Sequence, residues 1–202
     1  MSVAAAAPAQ AVGYRYWSFW DGGGKGGTWA YATLGPASAR PADGDVVGFR
    51  FAVSQDSNDA ARPSARPDFA RLCAGVPEQA GTKRVAVVID FGRPEDAAAG
   101  ETPPEPGLRT GCPRVREDAT AAEALAEVAK PLRYDTNALL CGIAGYPAKG
   151  CGEQVSAEST EASPKPAATK GSGGPSLGLV AGGAAVLLLG AAGVWQARRR
   201  RG

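Results

Sequence analysis

Alternating apolar and polar residues divide the first part of the chain into short strands. Residues 14–20 (YRYWSFW) and 28–33 (TWAYAT) predict two strands joined by the glycine-rich segment 21–27. Residues 46–53 (VVGFRFAV) alternate again and predict a third strand, with one face buried. Residues 84–91 (RVAVVIDF) are apolar almost throughout, which is typical of a central strand buried on both faces.

A helix and a last short strand follow in the second part of the chain. Thr120 or Asp118 can cap a helix that runs to residue 129, with alanine, leucine and valine on one face and Pro131 beyond its end. Residues 139–144 predict the final strand. The fold class expected for residues 12–152 is therefore α+β: a small, antiparallel, aromatic-rich sheet with one packed helix.

The connecting segments and the termini have different compositions. Residues 55–71 and 93–106 are polar and interrupted by proline, which predicts exposed loops. Residues 153–176 are rich in Ser, Ala, Pro, Lys and Gly and predict a flexible linker. Residues 1–11 end in Ala-Gln-Ala, which predicts the remnant of a signal peptide, with a disordered alanine-rich start as the alternative.

The C-terminal segment predicts a membrane anchor. Residues 177–195 are 19 uncharged residues in succession, and as a helix they extend about 28 Å, close to the thickness of a bilayer core. We expect a transmembrane helix at 177–197 and a cytoplasmic basic tail at 198–202, because four arginines follow the apolar run directly. The folded domain would then lie outside the cell, on a single-pass membrane protein.

Four cysteines are present, and an even number in an exported chain predicts disulfides. Three pairings are possible. Cys141 and Cys151 enclose a short loop and form the natural local pair, which leaves Cys73 with Cys112. The alternative, a zinc site, lacks the usual closely spaced cysteine pair.

Charge and composition exclude several functions. The chain has 22 basic and 20 acidic residues and no histidine. No basic stripe is available for nucleic acid, and catalytic triads built on histidine are excluded. We predict no cofactor, no metal site and no catalytic residues. A hydrolase that uses only carboxylates is a third, weaker hypothesis, because no pair of acidic residues is marked by its spacing.

Aromatic residues are concentrated before position 52, where nine of the fourteen occur. Tyr14, Tyr16 and Trp20 share one face of the first strand, and Trp17 and Phe19 share the other. One face is expected to be core. The other is either a binding platform or a second face buried under the helix and loops.

Several motifs resemble the transcobalamin C-terminal-like domain, a β-grasp-related fold found in cobalamin carriers and bacterial surface proteins. Residues 27–31 (GTWAY) and 43–49 (DGDVVGF) resemble its aromatic strand and the later turn and strand, and residues 120–125 (TAAEAL) with 143–145 (IAG) resemble its helix start and the following strand. The helix piece comes second here, as in a circular permutation, and residues 33–35 (TLG) replace the family's Asn-Gly. The whole arrangement also resembles secreted, membrane-anchored actinobacterial proteins that accompany energy-coupling-factor type vitamin transporters.

The resemblance implies a β-grasp-like binding or accessory protein that captures a corrinoid or similar ligand for an uptake system. Its contact candidates are Trp17, Trp20, Trp29 and Tyr31. The alternative is a structural or protein-interaction module of the cell envelope without a small ligand, in which the aromatic residues bind a partner protein or fill the core.

Overall fold

The computed structural model describes residues 11–23 and 27–156. The strands are β1 (Ala11–Asp21), β2 (Ala30–Tyr31), β3 (Val46–Ser54), β4 (Thr82–Arg84), β5 (Ala86–Asp90), β6 (Leu108–Gly111), β7 (Arg114–Arg116), β8 (Leu132–Tyr134), β9 (Leu140–Ile143) and β10 (Glu153–Ser156). The helices are α1 (Phe69–Leu72), a 3-10 turn (Pro94–Asp96) and α2 (Ala121–Val128).

The main sheet contains six strands. Five of them lie in the order β10, β1, β3, β5, β6, and the short β2 also pairs with β1. All neighbours are antiparallel except β3 and β5, which are parallel. The expectation of a purely antiparallel sheet was therefore wrong, because the chain crosses over one sheet face between β3 and β5 instead of forming a hairpin.

Both faces of the sheet are covered. On one face, Trp17, Phe49, Phe51 and other apolar side chains pack against α2 and β9. On the other face, a second cluster contains Trp20, Trp29 and their neighbours from β3, β5 and the segment around Cys73. The domain is thus a sheet between two layers, with helix α2 on one side and the segment that contains the short helix α1 on the other.

Helix α2 begins where the sequence predicted a cap. The Thr120 hydroxyl accepts a hydrogen bond from Glu123 N at 3.2 Å, and the Glu123 carboxylate accepts one from Thr120 N at 2.7 Å. This reciprocal arrangement satisfies two backbone donors that a helix otherwise leaves unpaired. Ala121, Ala124 and Leu125 then face the core.

Both predicted disulfides are present. Cys73 is bonded to Cys112 and Cys141 to Cys151, as is typical of an extracellular domain. In the part of the chain that the structure describes, no helix is long and apolar enough to cross a membrane. Three predicted segments lie outside the described residues: positions 1–10 of the signal remnant, the span at 177–197 and the tail at 198–202.

Several expected boundaries need correction. Residues 153–156 form β10, which pairs with the start of β1, so the predicted linker does not begin at residue 153. Val155 is buried there, but four residues are too few for a period-two pattern to be recognised. The strand expected at 28–33 is reduced to β2, because the chain turns away after Tyr31. Strands β4, β6, β7 and β8 were not predicted.

Candidate binding cleft

Two of the predicted contact residues are core side chains. Trp20 and Trp29 are buried in the second apolar cluster, and each indole N–H has a partner within the protein. Trp20 donates to the Ser18 hydroxyl at 2.8 Å and Trp29 to the Ala65 carbonyl at 2.8 Å. The idea of an exposed tryptophan platform is therefore wrong for these two, because the crossover segment between β3 and β5 covers their face of the sheet.

The other two predicted residues, Trp17 and Tyr31, lie at one surface depression. Trp17 is buried and donates its indole N–H to the Tyr146 carbonyl at 3.2 Å, but its edge reaches the depression. Tyr31 is partly exposed and packs edge-on against Trp20, with ring centroids 5.2 Å apart. Whether either residue binds a ligand remains a prediction.

This depression, which we call the edge cleft, has a volume of about 240 Å³ and lies beside β1. Strand β10 pairs with β1 as far as Arg15, and β2 pairs with it from Trp20. Between those two partners the outer edge of β1 faces the cleft. Its lining is Tyr16, Trp17, Phe19, residues 31–36 and residues 138–140.

Segment 31–36, the first wall of the cleft, is held in place by the start of helix α2. Ala122 N donates to the Pro36 carbonyl at 2.9 Å, and Ala121 N donates to the Ala39 carbonyl at 2.9 Å. These helix N–H groups have no partner within the helix. The helix that packs on the core therefore also fixes the wall that carries Leu34.

The second wall is a tight turn that presents Leu139. The Asp135 carboxylate accepts hydrogen bonds from Asn137 N at 2.8 Å and from Leu139 N at 2.9 Å. Ala138 has φ of 61°, a left-handed conformation that is unusual for alanine. The turn directs Leu139 outward, beside Gly152 and the Cys141–Cys151 disulfide.

Exposed apolar side chains are concentrated at this cleft. Of the six large hydrophobic residues that the described part of the chain exposes, three line it: Tyr31 (38% exposed), Leu34 (59%) and Leu139 (43%). None of the lining residues carries a charge. An exposed apolar patch of this kind is typical of an interaction surface.

A second concavity of about 210 Å³ lies on the other side of Leu34. Phe19 and Val47 contribute apolar atoms to it, whereas Asp21, Arg40 and Asp45 are charged. Leu34 lines both depressions and thus forms the ridge between an uncharged cleft and a charged one.

The buried polar groups of the domain serve the fold. Arg50 forms an ion pair with Asp90 on the neighbouring strand and a second one with Asp96 at 3.3 Å. Burial opposes ionisation of Asp90, yet hydrogen bonds from Ser64 and the charge of Arg50 lower its pKa overall. Burial lowers the pKa of the Lys83 amine, which donates to the Ala119 carbonyl at 2.8 Å.

Two tyrosines near the cleft have raised pKa values. Burial is the main cause for both; it raises the pKa of Tyr146 to about 12 and raises the pKa of Tyr16 further, with the Tyr31 phenol as the next contributor there. Both phenols therefore stay protonated at neutral pH. Tyr16, which lines the cleft, thus presents a neutral group there, whereas Tyr146 lies in the core.

Leu34 and Leu139 were not among the predicted contact residues. Leu34 stands alone beside turn-forming residues, in Thr-Leu-Gly-Pro, and Leu139 was assigned to the predicted final strand at 139–144, where nothing marked it as an exposed contact residue.

Comparisons with known proteins agree with the extent of this fold. The family model of the SCO2322-like domain matches residues 9–156, and the last described strand also ends at residue 156. No curated protein and no solved structure matches the chain significantly. The resemblance to the transcobalamin C-terminal-like domain therefore stays a prediction.

Proposed function

The chain belongs to the SCO2322-like domain family, and we propose that it is a non-catalytic, membrane-anchored binding module that acts outside the cytoplasm. Its two disulfides support an extracytoplasmic location. The predicted span at 177–197 supplies the anchor in this proposal. The partner is a protein, which corresponds to the interaction module considered from the sequence.

The observation that carries the proposal is the exposed apolar rim of the edge cleft. Tyr31, Leu34 and Leu139 expose apolar area on two walls that are fixed by backbone hydrogen bonds. Transfer of exposed apolar surface out of water is favourable by about 25 cal/mol per Å². A partner that covers this rim therefore gains binding free energy. A rigid, uncharged cleft suits the side chains of a partner protein.

Capture of a corrinoid is less compatible with this geometry. Small-molecule sites usually enclose about 300–1,000 Å³, whereas the edge cleft and its charged neighbour measure about 240 and 210 Å³. A third concavity, of about 300 Å³, contains none of the aromatic contact candidates. In addition, Trp20 and Trp29 are not available for stacking, because they are buried. An accessory role beside an uptake system remains compatible with a protein partner.

Site-specific photo-crosslinking tests the proposal. A photoreactive phenylalanine analogue replaces Leu34 in one full-length variant and Leu108 in a control. Leu108 is 38% exposed and lies in β6, at the opposite edge of the sheet. We expect a discrete protein adduct at position 34 in producing cells and none at position 108.

Three further variants and one titration define the outcomes. Tyr31→Ala or Leu139→Ser should abolish the adduct at position 34, whereas Leu108→Ala, at the opposite edge of the sheet, should preserve it. Absence of any position-specific adduct would contradict the proposal. Quenching of tryptophan fluorescence by cobalamin, lost in Tyr31→Ala, would favour the corrinoid hypothesis instead.

A further inference from the structure

The backbone of β1 at the edge cleft indicates what kind of partner segment enters it, an inference that rests on the proposed binding function. We propose that the cleft binds a short, extended, uncharged segment of another protein. That segment pairs with the backbone of Trp17 as an added strand and places one apolar side chain between Leu34 and Leu139.

The direction of the β1 backbone groups follows from its pairing with β3. Gly22 N donates to the Val46 carbonyl at 2.8 Å, and the register continues through Trp20↔Gly48 and Ser18↔Arg50. Along an antiparallel ladder, successive residues direct their N–H and C=O groups alternately to one neighbouring strand and to the other. The odd-numbered residues of β1 therefore face the outer edge.

A hydrogen bond at that outer edge agrees with this alternation, because Ala32 N donates to the Phe19 carbonyl at 3.0 Å. Further along the same edge, β10 pairs with β1 as far as Arg15. Trp17 lies between them. Among the described residues, no strand pairs with Trp17 on this side, and the backbone hydrogen bonds found there include none to its amide or carbonyl.

A backbone donor and acceptor of this kind are the pattern that an extended peptide completes. Backbone N–H and C=O groups in folded proteins nearly always have partners, and added strands use such an edge for binding. A peptide lying along β1 would bond with Trp17 through both groups. Its side chains would alternate between the two sheet faces, and one of them would enter the edge cleft.

The size of the gap favours a single peptide over a second copy of this domain. Arg15, the last residue paired with β10, and Phe19, whose carbonyl accepts from Ala32 N, are four residues apart, which is about 13 Å along a strand. Strands β10 and β2 project beyond β1 at both ends of this gap. The edge of another folded sheet would contact these two strands before it reached β1. It would therefore bury less than the roughly 800 Å² of surface per partner that a stable interface needs.

Charge further restricts the segment. The lining of the edge cleft contains no charged residue, so an inserted Lys, Arg, Asp or Glu would lose hydration without gaining a partner. The inserted residue is therefore uncharged and apolar. A proline at the paired position is excluded as well, because it has no N–H to donate.

Peptide selection and backbone methylation test this inference on the full-length chain in lipid nanodiscs. Random nine-residue peptides displayed on their mRNA are selected for binding, and the most enriched peptide is synthesised. Each of its backbone amides is then N-methylated in turn. A strand added to β1 predicts that methylation of one amide, the one that donates to the Trp17 carbonyl, weakens binding about tenfold or more, and that the other positions tolerate it, since Trp17 is the one residue of the gap whose backbone faces the added strand.

The protein side of the experiment uses matched variants. Leu34→Ser is expected to weaken binding of the selected peptide, and Leu108→Ser is not. Amide exchange at Trp17 is expected to slow when the peptide is bound. Sensitivity to Leu34→Ser without a methylation-sensitive amide in the peptide would overturn strand addition and leave the proposed binding function intact. Failure to enrich any peptide, or equal binding by Leu34→Ser, would also overturn the inference, whereas the photo-crosslinking result decides the proposed function separately.

Discussion

Replacing Asp90 with asparagine is expected to lower the free energy of unfolding by about 3–5 kcal/mol, the usual cost of breaking a buried ion pair. Asp90 and Arg50 are both buried, on adjacent parallel strands. The same carboxylate accepts hydrogen bonds from Ser64 N at 2.7 Å and from Gly92 N at 3.1 Å. Asparagine keeps the volume but removes the charge that Arg50 faces.

The residual interactions of Arg50 do not compensate for this loss. Its remaining ion pair, with Asp96, is longer at 3.3 Å and involves a more exposed carboxylate. An asparagine also presents an amide N–H₂ group where two or three donors already converge. A domain of this size has a total stability of about 5–15 kcal/mol, so the substitution removes a large share of it.

Urea denaturation followed by tryptophan fluorescence measures the effect, because Trp17, Trp20 and Trp29 are all buried in the native domain. The matched control is Glu127→Gln, which removes an exposed ion pair with Lys130 at 3.8 Å and should cost less than about 0.5 kcal/mol. If Asp90→Asn and Glu127→Gln cost the same, the account of a buried Arg50–Asp90 pair is wrong.

Three other predictions concern the core, the helix and pH. Trp20→Ala should cost about 3–5 kcal/mol through lost burial and the cavity left behind, and a loss below about 1 kcal/mol in the same urea assay would show that Trp20 is not a core residue. Thr120→Ala should cost about 1 kcal/mol in thermal melts, while Thr120→Ser should retain most of the capping energy; equal losses would argue against the cap. Because the pKa of Asp90 is lowered in the folded state, its contribution to stability is fully present above the unfolded value near 3.9 and is lost as pH falls through the folded pKa. The stability difference between the parent and Asp90→Asn should therefore shrink below about pH 4, and a constant difference would contradict this assignment.

Elements with a long, regular pattern could be predicted from the sequence. The alternation in β1 and β3, the continuous apolar run around β5 and the Thr120 cap of α2 all correspond to observed elements. In each case the local pattern and the tertiary environment favour the same structure. Strands β6, β7 and β8 have three or four residues each, too few for a period of two to be distinguished from chance.

The strand order and the burial of the tryptophans could not be predicted in this way. Alternation shows which residues of β1 share a face, but not which part of the chain covers that face. The covering segment is polar and rich in proline, and it was expected to be an exposed loop. In the structure Pro63 and Pro67 are buried, and the Ala65 carbonyl accepts the Trp29 indole N–H. Irregular backbone can thus seal a sheet face without any periodic signal.

The edge cleft depends on contacts between distant parts of the chain. Leu34 and Leu139 are 105 positions apart in the sequence and meet at one cleft because helix α2 fixes one wall and the Asp135 turn fixes the other. Sequence reasoning named Tyr31 and Trp17 as contact candidates for their aromatic character, and both line this cleft. It could not single out the two leucines, since Leu34 beside a turn has no characteristic pattern and Leu139 was read as part of the final strand.

Hydroxyl-radical footprinting of the full-length chain in its native cell envelope tests the central claim, that the edge cleft is a partner-binding surface. The oxidation rates of Tyr31, Leu34 and Leu139 are compared with those in the purified chain, with Leu108, which is 38% exposed at the opposite edge of the sheet, as the reference. We predict that the three cleft residues are oxidised more slowly in the envelope and that the reference is unchanged. Equal oxidation of all four residues in both states would contradict the claim.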